Sequence, residues 1–253
     1  DQKILGKGSR IKIILHLIDQ ITKYHYRFPN IFNKISQILH ILFKDIKHTF
    51  SVDDIYEIFA SNKLVILFII EEKLIDDIYD FIREIINSND FNDDLFQFFL
   101  PEIKQHINDN DFKKDLTEDQ INQCNTKKIL KDFEEKRRIG ENDEYVCELI
   151  RKDLIDEFKS YVNCAEIPLK SKIKRSIYET NSFLIENNPT LIEYAAFFGS
   201  VKIFEYMISQ KVKLTSSLWH YATHCPNSYI ISILEKNDIK PEDESYEKCL
   251  EEA

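Results

Sequence analysis

Glycine, proline, methionine and tryptophan are all scarce in this chain of 253 residues. It contains 4 Gly, 6 Pro, 1 Met and 1 Trp. A turn-rich β-sandwich needs turn residues roughly every 8–12 positions, so this shortage argues against that class of fold. Ile, Phe and Tyr are plentiful, which argues against disorder over most of the length. The balance favours helices joined by short connections.

Long apolar runs and paired cysteines are also missing. The longest apolar run, Leu64–Ile70, is far shorter than the roughly 20 residues of a membrane-spanning helix, so no membrane span is predicted. The 5 Cys are odd in number and none stand at C-x-x-C spacing, which is typical of reduced thiols. We expect an intracellular location, cytoplasmic rather than nuclear. The chain begins at Asp1 rather than Met, which leaves open a targeting segment ahead of it.

The chain is acidic overall. Its formal net charge of −10 disfavours nucleic acid as a partner, because phosphate binding needs clustered Lys and Arg. Two basic runs, Lys131–Arg138 and Lys170–Arg175, are interpreted as solvated helix faces. A weak nuclear import signal or a contact for an acidic peptide remains the alternative for these runs.

Apolar residues recur at helical spacing through the first part of the chain. Ile31, Ile35, Ile38, Leu42 and Ile46 fall three or four positions apart, which predicts one face of a helix.

Four further helices are predicted before residue 110. Ser51–Asp54 (SVDD) has the form of a capping box and opens a helix through Phe59, which Ser61–Lys63 ends. Another helix begins at Leu64, and Pro101 is either a kink or the first turn of a fresh helix. The remaining stripes are Ile78, Phe81, Ile82 and Ile85, then Leu95, Phe99, Ile103 and Ile107.

The chain turns polar from His106 to Thr126, which predicts a domain boundary or a loose connection. We therefore divide the chain into an N-terminal helical region (1–126), a charged linker (127–142) with a helix over 129–140, and a second part (143–253). The N-terminal region forms either degenerate repeats of one continuous helical array, which we favour, or a separate bundle.

The second part contains an internal repeat. The stretch YAAFFGSVKIFEYMI aligns with a later one at a shift of 27 residues, so that Ala195 falls on Ala222 and Gly199 on Pro226. An upstream stretch aligns at a shift of 46, which places Asp153 on Gly199. Each unit is a helix of small residues, a tight turn and a second helix with a Leu/Ile stripe.

The composition of the unit has a physical reason. Ala195 and Ala196 let the first helix approach its neighbour closely. Gly199 can take the left-handed conformation that ends this helix, where other residues meet a steric penalty.

These units resemble the ankyrin repeat, whose pattern is T-P-L-H-x-A-A-x-x-G-H, then I-V, then L-L. The matching positions are Thr190, Ile192, Ala195, Ala196, Gly199, Ile203, Phe204, Met207 and Ile208, and in the next unit Ser217, Trp219, His220 and Ala222. The resemblance covers Asp143–Ala253. It implies an all-α fold, an α-solenoid of stacked antiparallel helix pairs, in which Trp219 and His220 are structural and His220 holds the turn by hydrogen bonds.

The chain also departs from the family. The shift of 27 is shorter than the usual period of about 33. An insertion around Lys172–Glu186 has room for an extra helix. Leu250 and Ala253 match the start of another unit, so we expect the array to be truncated in mid-repeat.

The resemblance implies a concave binding face built from the turns and the first helices. The implied partner-binding residues are Arg151, Lys152, Phe197, Phe198, His224 and Cys225 on the helices, and Asn187, Asn188, Leu214 and Thr215 in the turns. Two adjacent Phe would anchor a partner if they were exposed. The alternative is that one or both pack on the neighbouring repeat or on the insertion.

Neither a metal site nor an active site is indicated. His220 and His224 stand four apart beside Cys225, but no third and fourth ligand follow, so no zinc ion is predicted. The LGKGSR segment (5–10) lacks the full phosphate-loop pattern, and no G-x-S-x-G or Cys–His arrangement is present. We predict no catalytic residue and no cofactor.

The expected function is a non-catalytic protein–protein interaction scaffold that binds a protein partner on the concave face. One alternative is a permanent structural subunit of a larger assembly, for example a cytoskeletal one. The other is an enzyme with a site in the N-terminal helices.

Overall fold

A computed structural model describes residues 6–24, 31–75, 77–89, 91–225, 227–242, 246, 247 and 249. Over these residues the chain is helical, with seventeen helices and no strand. One isolated antiparallel bridge joins Lys172 to Thr190. The predicted all-α class is therefore confirmed for the described residues. Pro226, Leu250 and Ala253, on which part of the repeat alignment depends, lie outside them.

The chain divides into two compact units. The first comprises Asp1–Glu141 together with Thr180–Ser182, and the second comprises Asn142–Glu179 and Phe183–Ala253.

The described residues of the first unit form ten helices. They are α1 (Lys7–Tyr24), α2 (Ile31–Thr49), α3 (Val52–Phe59), α4 (Lys63–Glu71), α5 (Ile78–Asn87), α6 (Asp93–Phe98), α7 (Leu100–His106), α8 (Asn110–Lys113), α9 (Glu118–Thr126) and α10 (Phe133–Ile139).

The predicted stripe on α2 is only partly the buried face. Ile35 and Ile46 are buried as expected, but Leu39 is the third core residue and Ile38 is 40% exposed. Positions 35, 39 and 46 lie within a narrow arc at 100° per residue, and position 38 lies outside it. The spacing predicted the helix correctly, but the side of the helix that is buried depends on its packing against other helices.

Local capping signals place several helix starts. The Ser51 hydroxyl accepts a bond from the Asp54 N–H, and the Asp54 carboxylate accepts one from the Ser51 N–H, which confirms the predicted capping box. Asn62 caps α4 through the Val65 N–H. Pro101 stands in the first turn of α7, where its missing N–H costs no helical bond.

The polar segment 106–126 is not a loose connection. It forms α8 and α9, and Phe112 and Cys124 from these helices are buried in the core of the first unit. A capping box between Thr117 and Gln120 starts α9. Only a few residues of this segment are buried, so its average composition is polar although it packs on the core.

The charged helix predicted over 129–140 begins later, at Phe133, and belongs to the first unit rather than to a linker. Gly140 ends it in the left-handed conformation, with φ 70. The Gly140 carbonyl accepts bonds from the N–H and the hydroxyl of Thr180, which lies in the short segment counted with this unit.

A buried ion pair joins α10 to α7. The Arg137 guanidinium, 1% exposed, donates two bonds to the Glu102 carboxylate at 2.8 and 2.9 Å. It also donates to the Phe98 carbonyl and to Glu134. The rings of Phe98 and Phe133 lie 5.6 and 5.2 Å from its charge. A charge removed from water needs such pairing, since an unpaired buried ion is strongly destabilising.

The helices defined among the described residues of the second unit are three pairs and most of one extra helix. The pairs are α11 (Tyr145–Arg151) with α12 (Ile155–Cys164), α14 (Leu191–Phe198) with α15 (Val201–Ser209), and α16 (Leu218–Thr223) with α17 (Tyr229–Lys236). The extra helix, α13 (Ser182–Asn187), occupies only the end of the insertion. The stretch 172–181 before it is not helical.

The chain reverses in the same way inside the first two pairs. Gly199 has φ 69, as predicted, and Asp153, aligned with it at the shift of 46, has φ 49. The next N–H bonds back across the helix end in both places, Leu154 to the Leu149 carbonyl and Ser200 to the Ala195 carbonyl. This is the six-residue closure of a Schellman motif.

The second helices of all three pairs end alike. Glu166, Lys211 and Asp238 have φ values of 52, 63 and 52. The following residue donates its N–H to a carbonyl five positions back, namely Ile167 to Val162, Val212 to Met207 and Ile239 to Leu234. Lys211 and Asp238 are separated by the shift of 27 found in the sequence. The repeat is therefore one of backbone conformation as well as of residue type.

We predict that Gly199→Val destabilises the protein by about 2 kcal/mol or more. A left-handed residue with a Cβ costs roughly 1–2 kcal/mol, and β-branching adds to this. A Cβ here would also collide with the Cys225 sulfur. Thermal melts would measure the loss. Gly6→Val is the control, since a Cβ there meets nothing within 4 Å, and equal melting temperatures for both variants would refute the argument.

We predict that Glu102→Ala costs about 3 kcal/mol, because it leaves the Arg137 charge buried without its bidentate partner. Glu134→Ala, which removes the more exposed partner of the same guanidinium, should cost less than about 1 kcal/mol. Urea denaturation of both variants tests this difference. Similar midpoints for the two variants would show that the buried pair contributes no more than a surface pair.

Candidate interaction face of the second unit

The first helices of the three pairs contact one another in series. α14 contacts both α11 and α16, and the second helices α12 and α15 also contact each other. The residues predicted to bind a partner on the first helices therefore belong to neighbouring elements.

Phe197 is buried, with 1% of its side chain exposed. Its ring stacks on Phe183 at 5.9 Å and lies 4.9 Å from the His224 ring. Phe183 comes from the insertion and His224 from the next pair. The expectation that Phe197 is an exposed anchor is thus wrong, and the alternative, packing on the neighbouring repeat and on the insertion, describes it correctly.

Phe198 is half-buried. Its ring lies 4.6 Å from Tyr194 and 5.1 Å from Phe197. The two Phe therefore differ in role. Phe197 fills the space between the helix pairs, whereas Phe198 is half-buried at the end of α14.

Cys225 is buried and cannot contact a partner as predicted. It lies against Gly199, where it fills the space left by the missing side chain. Cys147 on α11 is also buried, and this burial raises the pKa of its thiol to about 12. Both thiols serve packing.

The two histidines of α16 and its C-cap are half-buried. His224 lies 4.4 Å from the Phe183 ring and helps to enclose it. The structural role of Trp219 has a defined contact, because its indole N–H donates to the Ile239 carbonyl at 2.9 Å. The turn-holding role of His220 stays a prediction.

Arg151 and Lys152 have different surroundings. Arg151 donates to the Asn142 carbonyl and to the Tyr194 hydroxyl, both at 2.8 Å, so that it holds the start of its own helix pair. Burial raises the pKa of Tyr194 well above its ordinary value, which keeps its hydroxyl neutral. Lys152, the C-cap residue of α11, is exposed and pairs with Glu148.

The four predicted turn positions are at or near the surface. Asn187 is exposed and donates to the Phe183 carbonyl. Asn188 is half-buried with φ 46. Leu214 is half-buried, and Thr215 is exposed with its hydroxyl 2.8 Å from that of Ser217.

Two contributors were missed in the sequence. Phe183 lies in the insertion, where no repeat pattern marked it. Glu193 completes a capping box with Thr190 and also accepts a bond from the Ser217 hydroxyl of the next pair at 2.7 Å. The T-x-x-E spacing of Thr190–Glu193 could have revealed the capping box, whereas the bond to the next pair depends on packing.

An open cavity of about 470 Å³ lies apart from these residues, on α11 and α12. Its lining residues are Tyr145, Asp156, Glu157, Ser160, Tyr161 and Cys164. The two Tyr rings meet edge to face at 4.9 Å. No histidine lines it, so the Cys164 thiol and the Ser160 hydroxyl have no neighbouring imidazole base there.

Two further searches of the described residues were negative. No group of three or more His, Cys, Asp or Glu lies close enough to hold a metal ion. No described helix combines the length and the apolar character needed to cross a bilayer.

No protein-family model matches the chain, and no significant similarity to a curated protein or to a solved structure was found.

We predict that Cys164, which is exposed, reacts with a maleimide far faster than Cys147 in the native protein. Thiolate is the reactive species, and the raised pKa of Cys147 suppresses it at neutral pH. Mass spectrometry of labelled peptides would follow both sites. Fast labelling should vanish in Cys164→Ser and persist in Cys147→Ser, and the opposite pattern would contradict the burial assigned to these thiols.

Proposed function

We propose that the second unit is a divergent ankyrin-type array and that the protein is a non-catalytic scaffold, binding a protein partner on the face formed by α11, α14 and α16. The recurrence of the left-handed chain reversal carries this proposal. Asp153 and Gly199 end the first helices of two pairs, and Lys211 and Asp238 end the second helices at the sequence shift.

The packing between pairs supports the same assignment. Ala195, Ala196 and Ala222 are buried, which is what close approach of successive first helices requires. Glu193 reaches from one pair to the Ser217 hydroxyl of the next. Successive pairs contact each other through both their first and their second helices in the case of α11–α12 and α14–α15, as expected for stacked repeats.

The surface offered to a partner differs from that implied by the resemblance alone. Lys152, Asn187 and Thr215 are exposed, and Phe198 and His224 are half-buried. Phe197 and Cys225 are not part of this surface, because both are buried between the helix pairs. The face thus combines one basic group, polar turns and aromatic edges, a combination suited to a polar rim around a small aromatic centre.

A non-catalytic role is consistent with how the polar groups of this face are used. Arg151 bonds to Asn142 and Tyr194, and Glu193 to Thr190 and Ser217. These groups stabilise the turns and leave no evident acid–base pair for chemistry.

The test is affinity capture from lysate with the whole chain and two double variants. Lys152→Glu/Thr215→Arg alters two exposed positions of the proposed face. Lys202→Glu/Gln210→Arg makes the same net charge change at exposed positions of α15 and its C-cap. Circular dichroism melts would establish that both variants stay folded.

A partner lost by the first variant and retained by the second is the expected result. A partner retained equally by both would place binding elsewhere and overturn the assignment of this face. If the isolated chain instead self-associates in sedimentation velocity and captures nothing, the alternative of a permanent assembly subunit replaces the scaffold proposal.

A further inference from the structure

Large aliphatic side chains are exposed on the two longest helices of the first unit. On α1 these are Ile13 and Leu17, 54% and 55% exposed, and on α2 they are Ile38 and Ile41, 40% and 80% exposed. Single exposed aliphatic residues are common on protein surfaces. Four on two neighbouring helices form a cluster that a purely structural role leaves unexplained.

Ile13, Leu17 and Ile41 point away from the core of the unit, whereas Ile38 lies at the edge of the buried side of α2. Ile11, Leu15 and Ile18 are the buried residues of α1. At 100° per residue, Ile13 and Leu17 lie on the opposite side of that helix. Ile41 is displaced in the same manner from the buried residues of α2.

The two helices lie side by side and run in opposite directions. They contact each other, and Lys7 near the start of α1 bonds to Asp45 near the end of α2 at 2.7 Å. The exposed aliphatics of α1 are therefore about level with those of α2 along the pair.

The charge of this pair is opposite to that of the chain. The helices contain seven Lys or Arg and two Asp, in a protein of net charge −10. Both Asp are neutralised locally, because Asp19 is buried beside Lys23 and Asp45 pairs with Lys7. Basic residues thus dominate the outer side of α1 and α2.

Basic groups flank the aliphatic groups along this outer side. Arg10, Lys34 and Lys44 are exposed. Arg10 lies one turn before Ile13, Lys34 one turn before Ile38, and Lys44 one turn after Ile41. We call these six residues, together with Leu17, the α1–α2 face.

We propose that the α1–α2 face binds the surface of an anionic lipid bilayer. Ile13, Leu17, Ile38 and Ile41 would enter the boundary between headgroups and acyl chains, while the basic residues contact the anionic headgroups. The rest of the chain, which is acidic, would be repelled by the same surface, so the charge distribution orients the protein with this face toward the bilayer.

Other occupants fit the face less well. Two copies of this chain would bring two positive faces together, which is unfavourable. Single-stranded nucleic acid is held by basic grooves lined with aromatic rings that stack on bases, and the exposed apolar groups here are aliphatic. An acidic protein surface would match the charge, but would not use four protruding aliphatic side chains without pockets to receive them.

The experiment is co-sedimentation of the whole chain with phosphatidylcholine vesicles, with and without about a third phosphatidylserine. Binding should require the anionic lipid and weaken as salt is raised. Leu17→Gln/Ile41→Gln should weaken it at least about tenfold, because two aliphatic groups no longer enter the bilayer. Lys34→Glu/Lys44→Glu should weaken it by more than about fivefold per reversed charge.

Matched control variants distinguish binding through the α1–α2 face from nonspecific binding to vesicles. Leu130→Gln/Ile139→Gln removes two aliphatics that are 64% and 52% exposed elsewhere in the same unit. Lys170→Glu/Arg175→Glu reverses two exposed basic residues of the second unit. Neither control should change vesicle binding.

Three outcomes would overturn the proposal. The first is equal binding to both kinds of vesicle, and the second is equal loss in the test and control variants. The third is absence of vesicle binding, in which case a face-dependent dimer in sedimentation velocity would identify a second copy as the occupant, and face-dependent binding to an acidic polypeptide would identify a protein.

Discussion

The left-handed residue at the end of a helix is the constraint on which the second unit depends. Gly199 and Asp153 reverse the chain within a few residues, and the N–H that follows each one bonds to a carbonyl five positions back. This closure brings two short helices into contact through residues that are close together in the sequence. Helices of eight or nine residues are unstable alone, so each must find a partner immediately. Stacking of the resulting pairs then buries what a single pair leaves exposed.

Packing between pairs explains why the aromatic residues divide into two groups. Phe197 lies between Phe183 of the insertion and His224 of the next pair, so it stabilises the stack. Phe198, one residue on and 100° round the helix, is at the rim. The proposed partner-binding surface and the interior are therefore adjacent positions of the same helix. A partner that contacts Phe198 would therefore bind directly beside side chains that are buried between the pairs.

The two proposed interaction surfaces rest on different physics. The proposed face of the second unit combines polar turns with the half-buried rings of Phe198 and His224, which suits one specific protein. The α1–α2 face offers aliphatic groups and an excess of positive charge without a pocket, which suits an extended anionic surface. A scaffold with both properties would hold its partner near a membrane.

Local chemistry in the sequence determined the helices, the Ser51–Asp54 capping box, the turn at Gly199 and the repeat itself, because caps, periodicity and left-handed glycine act over a few residues. Only tertiary packing decided that Phe197 and Cys225 are interior, and that Arg137 is buried against Glu102. A residue's exposure depends on what lies opposite it, and the facing group comes from a distant part of the chain.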